Sequence, residues 1–166
     1  MTNFSERVRA DLALIGQGRS TRDLATMLHT PPSKLRLFVT EPQSAPAGFF
    51  DTLAEICLLR HNAIAFADGP DSFVVTAESS HYLESSKLYA EEAARRIAAQ
   101  WTVMRESVPK TLPARELYRR INAWLAGNPC EWRNPARSLE ELAALCGKPV
   151  DLVLTDLGFT INPSVR

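Results

Sequence analysis

Over most of the chain the apolar residues recur at helical spacing. Phe4, Val8, Leu12 and Ile15 lie four, four and three residues apart, which predicts an amphipathic first helix ended by Gly16 and Gly18. In the next stretch, Ser20–Val39, Ser20 can accept a backbone N–H that a first helical turn leaves unpaired. Leu24, Ala25 and Leu28 then share one face before His29–Thr30 break the period. Pro31 and Pro32 cannot sit inside a helix but suit the opening of a new one, because the N–H groups they lack would be unpaired there anyway. Leu35, Phe38 and Val39 repeat at three and four residues, leaving Ser33, Lys34, Arg36 and Leu37 on or beside the outer face. The pattern predicts two short helices joined by a tight turn, with small Ala25 letting the backbones approach where they cross.

After a connector with Pro42 and Pro46, the apolar residues Phe49, Phe50, Leu53, Ile56, Cys57 and Leu59 predict another helix. Between His61 and Ser79 the period changes. Ile64, Phe66, Phe73, Val74 and Val75 flank Gly69–Pro70, which reads as a short β-hairpin. From about Ser80 to Val108 a long helix is expected, with Leu83, Ala90, Ile97 and Met104 recurring every seven residues as one stripe. Pro109 stops it, and Thr111 with Pro113 opens a further helix that turns Leu117, Ile121, Trp124 and Leu125 inward and leaves Arg115, Arg119 and Arg120 outside. Ser138 then caps a helix containing Leu139, Leu142, Ala143 and Leu145. The layout Leu142-Ala143, Gly147, Pro149, Val153 repeats Leu24-Ala25, His29, Pro31, Leu35. The expected fold is mainly α. It comprises a helix-turn-helix domain over residues 1–61, a β-hairpin connector over 62–79, and a C-terminal helical domain over 80–166 with a second helix-turn-helix-like segment.

On the Ser20-x-x-x-Leu24-Ala25 start, the preceding helix, Leu35 in the next helix and the helix Phe49–Leu59, residues 4–61 resemble the lambda-repressor-like (Cro-type) helix-turn-helix family. His29 stands where that family usually has its turn glycine. The resemblance implies a sequence-specific, double-stranded-DNA-binding transcriptional regulator of the repressor kind, whose helix Pro31–Val39 enters the major groove. Carried over position by position, it puts Ser33, Lys34 and Arg36 near bases and Thr21 and Arg22 near phosphates. It also implies a homodimer reading two half-sites, which the hairpin or the long helix, within residues 62–108, would join.

Charge sharpens this picture in one place and blunts it in another. The 166 residues carry 19 Lys+Arg against 19 Asp+Glu, so no global field draws nucleic acid. The charges are nevertheless segregated. Residues 1–40 hold six basic against three acidic groups, and residues 105–137 seven against three. Arg115, Arg119, Arg133 and Arg137 are therefore candidates for gripping phosphate from the C-terminal half, the alternative being that they pair with Glu84, Glu91 and Glu92 and solvate the surface. The second helix-turn-helix-like segment is poor in basic residues and carries Asp151 and Asp156, so packing is favoured over DNA contact there.

Other chemistry is sparse. Cys57, Cys130 and Cys146 are isolated, as are the three histidines, which argues for free thiols in a reducing compartment and against a structural zinc. There is no nucleophile elbow, phosphate-cradling glycine loop or metal-ligand spacing, so neither an enzyme nor a cofactor is expected. No apolar run approaches the roughly 20 residues that span a bilayer, and the N-terminus lacks a signal core, which predicts a cytoplasmic protein with no membrane partner. The rival reading from another class is a helical adaptor that holds a protein partner and binds no DNA.

Overall fold

A computed structural model describes residues 3–109, 112–128 and 136–159. The described residues form eight α-helices and a short 3-10 helix, with no strand. They are α1 (Phe4–Ile15), α2 (Thr21–Met27), α3 (Pro32–Thr40), the 3-10 turn Pro42–Ser44, α4 (Ala47–Ala65), α5 (Ala77–Ser107), α6 (Ala114–Gly127), α7 (Leu139–Cys146) and α8 (Val150–Asp156). The chain divides into two compact units, residues 1–93 and 94–166, so the division falls within α5.

In the first unit each helix starts where the local chemistry provides for its unpaired N–H groups. Asn3 and Glu6 form a reciprocal capping box at α1, and Ser20 Oγ accepts from the Asp23 N–H at 3.1 Å. Thr76 and Ser79 exchange side-chain bonds with each other's backbone N–H at 2.9 and 3.1 Å, which starts α5 at Ala77, ahead of the Ser80 expected from the apolar period. Val8, Leu12 and Ile15 of α1 are buried, as are Ala25, Leu28, Leu35, Phe49, Phe50 and Leu53 of the elements that follow. Phe4, Phe50 and Tyr89 meet with ring centroids 5.5 to 6.4 Å apart, tying α1 and α4 to α5.

Residues 62–79 do not form the expected hairpin. The four-residue spacing of Leu53, Cys57, His61 and Ala65 continues the buried face of α4, so the helix runs on through Ala65. Beyond it the chain turns at Gly69, where φ is +120°, and residues 72–76 lead to α5 with no regular secondary structure. Phe73 packs on Phe66 at 5.0 Å and on His61 at 5.9 Å, and the Val74 N–H bonds the Ala65 carbonyl at 2.8 Å. Side-chain packing against the helix end thus takes the place of strand pairing.

The stripe expected on α5 is also shifted in its first half. Ala90 is exposed and Leu83 only half-buried, while Tyr82, Ser85, Ser86, Tyr89 and Ala93 turn inward. The cause is a polar cluster in the first unit, built on Asp11. From Ile97 onward the apolar period holds, and Ile97, Met104 and Val108 are buried in the second unit together with Leu117, Ile121 and Leu125 of α6 and Leu139, Leu142, Val153 and Leu154 of α7 and α8. Asn122 Oδ1 accepts the Leu139 N–H at 2.8 Å, fixing the start of α7 against α6.

Candidate nucleic-acid interface

The pair α2–α3 is held by four side chains on its inner face. Ala25, Leu28, Leu35 and Phe38 are all buried, the small Ala25 to 1 % exposure. Between the helices His29 adopts φ +51°, the left-handed conformation that a turn glycine usually takes. That turn brings the Thr30 N–H to the Ala25 carbonyl at 3.0 Å and the His29 N–H to the Thr26 carbonyl at 3.2 Å, so these two carbonyls of the last turn of α2 are satisfied. The Thr30 hydroxyl donates to the Leu28 carbonyl at 2.9 Å. Pro31 caps α3 and Pro32 opens it, as their missing N–H groups allow.

This packing settles which side chains face outward. Ser33, Arg36, Leu37 and Thr40 fall at spacings of three, four and seven on one exposed stripe of α3, and Lys34 flanks it. Thr21 and Arg22 are exposed at the start of α2. Arg22, Lys34 and Arg36 make no side-chain hydrogen bond or ion pair among the described residues, so three cationic groups stand free around the exposed side of this pair.

The basic residues of the second unit are arranged differently. Arg119 and Arg120 both bond Glu116 of their own helix, Arg120 Nε at 3.3 Å. The Arg119 guanidinium foremost, then Arg120, pulls the Glu116 carboxyl down to about 2, and the same contact raises Arg119. These two arginines are therefore paired within α6. Arg115 is exposed on the same helix, one turn before Arg119. Arg137 is exposed and its backbone N–H donates to the Glu141 carboxylate at 2.8 Å. Arg133 lies outside the described residues, as does Cys130.

Behind α2–α3, α1 is anchored by a buried carboxylate that the apolar pattern did not reveal. Asp11, fully buried, accepts from the Ser85 hydroxyl at 2.8 Å and the Tyr89 hydroxyl at 2.5 Å, and His81 Nε2 lies 2.6 Å from its other oxygen. Arg7 Nε donates to Ser85 Oγ at 3.0 Å and its other nitrogen reaches the His81 carbonyl and Glu84. Burial first, then the bond to Asp11, raises the Tyr89 phenol. Burial, with Asp11 second, pushes the Cys57 thiol from 9.0 up to about 12. Ser85 and His81 each bond Asp11 rather than one another, so the cluster is not a nucleophile–base relay. One signal for it was in the sequence: Asp11 lies three residues from Val8 and four from Ile15, on the face that α1 buries.

Among the described residues no group of three or more His, Cys, Asp or Glu is placed to hold a metal ion, and no helix is long and apolar enough to cross a membrane. Compared with models of protein families, with curated proteins and with solved structures, the chain shows no match.

Proposed function

We propose that the chain is a sequence-specific DNA-binding regulator of transcription, a repressor, that reads the major groove with the outer stripe of α3. The observation that carries this reading is the set of free cations, Arg22, Lys34 and Arg36, on the exposed side of two short helices whose inner faces are fully committed to packing. A duplex offers one phosphate charge about every 1.7 Å of its axis, and unpaired guanidinium and ammonium groups answer it without first breaking an internal ion pair. Arg36 is central on the stripe and takes the base-reading role, with Ser33 and Lys34 beside it. Thr21 and Arg22 face the backbone. One such helix reaches only a few base pairs, so two copies on two half-sites complete the site.

The test is selection of duplexes from a random library by the full chain, followed by affinity measurements on the enriched sequence. An Arg bidentate to guanine is worth about 1–3 kcal/mol of discrimination. Arg36→Ala should therefore relax preference at one position, whereas Arg22→Ala should weaken all sequences alike. Failure to enrich any sequence, or an Arg36→Ala protein with unchanged preference, would leave α2–α3 without this role. Leu37 favours the second reading, a helical adaptor, because it stands 41 % exposed in the middle of the stripe. An adaptor would lose its partner on Leu37→Ala while showing no affinity for duplex at any salt.

A further inference from the structure

The second helical pair, α7–α8, repeats the first in its turn but not in its surface. Where α2–α3 exposes Arg22, Ser33 and Lys34, the corresponding positions of α7–α8 expose Glu140, Asp151 and Leu152. Residues 19–40 carry four basic groups and one acidic; residues 137–158 carry two basic and four acidic. Lys148 is bonded to Asp156 at 2.8 Å, which offsets one charge of each sign and leaves Arg137 against Glu140, Glu141 and Asp151, the last of which accepts from the Tyr118 hydroxyl. A face of that sign repels phosphate. It is also greasy: Leu145 and Leu152 are 42 % and 46 % exposed. Beside α8 lies an open cavity of about 380 Å³, lined by Ala114, Arg115, Tyr118 and Asp151, large enough to receive an apolar side chain. Exposed leucines among carboxylates suit a protein surface of opposite charge with an apolar residue of its own. The molecule presents one, since Leu37 is exposed among Lys34 and Arg36.

We propose that α7–α8 is a protein-docking face and that its occupant is the α2–α3 pair of a second copy of this chain. Charge complementarity selects the occupant: the basic stripe of one copy meets the acidic face of the other, and Leu37 and Leu152 supply the apolar centre. The contact covers the face that α3 would offer to DNA, so the two engagements exclude each other. The proposal goes beyond the DNA reading and does not require it, because the association is measured with no DNA present.

Sedimentation velocity of the full chain at micromolar concentration tests it with two variants, Glu140→Lys with Leu152→Lys, and Lys34→Glu with Arg36→Glu. All four positions are exposed, and circular dichroism reports whether each variant is folded. The wild type should associate at low salt and at least tenfold more weakly at high salt. Each variant alone presents two faces of one sign and should sediment as a monomer, whereas an equimolar mixture should associate again, since the basic α2–α3 of one variant meets the acidic α7–α8 of the other. A monomeric wild type, variants that associate like the wild type, or a mixture that stays monomeric while both variants are folded would each overturn the proposal.

Discussion

The two helical pairs, α2–α3 and α7–α8, are built on the same few positions and carry opposite surfaces. Ser20 and Ser138 each cap the first helix by accepting from the N–H three residues on, both at 3.1 Å. Ala25 and Ala143 are both buried; the residues after the turn, Thr30 and Lys148, donate their backbone N–H to those alanines' carbonyls at 3.0 and 3.1 Å. Pro31 and Pro149 start the second helix, accepting from the N–H groups of Leu35 and Val153, which are both buried. Cap, small residue, left-handed turn, proline and one branched apolar side chain therefore specify the shape. The outer face is not constrained by it. Shape alone accordingly says nothing about what either pair binds; the exposed charges are what distinguish them.

The largest test of the shared frame is to remove its branched apolar residue. Leu35→Ala should destabilise the first unit by about 2–5 kcal/mol, the usual range for a buried leucine. Val153→Ala deletes fewer methyl groups and should cost less. Chemical denaturation followed by helical content would show the first change as the larger one; equal and small effects would mean that the crossings are held by something other than these side chains.

A finer test is the turn residue, where the two pairs differ. Gly147 has φ +64° and open space where a Cβ would sit, so Gly147→Ala adds no clash and should cost the left-handed penalty, about 1–2 kcal/mol, less about 0.5–1 kcal/mol for the freedom that the unfolded chain gives up with its glycine. His29 already bears that penalty at φ +51°. His29→Gly should therefore stabilise the first unit, but by less than Gly147→Ala destabilises the second, because histidine is among the side chains enriched in the left-handed region and bears a smaller penalty there than alanine. The signs of the two shifts in melting temperature must be opposite.

Much of this frame was legible from the residues alone, and the parts that were not share a cause. Helices announced themselves by caps and by apolar spacing, as at Ser20 and at Phe4, Val8, Leu12 and Ile15. The run from Ile64 to Val75 misled because aromatic and β-branched residues are scored as strand formers. What decides the matter is a pair of tertiary facts, Cys57–His61–Ala65 continuing a buried face and Phe73 seated on Phe66. The Asp11 cluster was hidden for the complementary reason. Ser85 and Tyr89 are one helical turn apart on α5 and point inward, yet an apolar count ignores the first and places the stripe through Leu83 and Ala90 instead. The outer stripe of α3 was readable because it is what remains once Leu35 and Phe38 are buried, but nothing in the chain states which bases it would meet.

The Asp11 cluster also makes the first unit sensitive to alkali. Cys57 and Tyr89 both titrate above their unfolded values, so both contribute stability that is complete below about pH 9 and is lost as the pH rises toward 12 for the thiol, the unfolded chain releasing its protons first. Melting temperature should fall between pH 9 and 12. In Cys57→Ala the fall should be shallower over that window, even though the variant starts from a lower value because of the lost packing. A profile as steep as that of the wild type would show that Cys57 does not govern it.

The smallest expected effect is the one that separates the two surfaces most directly. Each phosphate neutralised adds about 0.9 to the slope of log affinity against log salt. On the proposed reading Arg22 meets phosphate from α2, and Arg22→Ala should lower the slope by about that amount. In the second unit Arg119 is held by Glu116, so approaching a duplex would bring the Glu116 carboxylate along with it, and the pair presents little net charge. Arg119→Ala should then leave the slope unchanged. If that variant instead loses about 0.9, Arg119 grips DNA despite its internal partner, and the proposed contrast between a DNA-facing first pair and a protein-facing second unit would have to be redrawn with the boundary at α7.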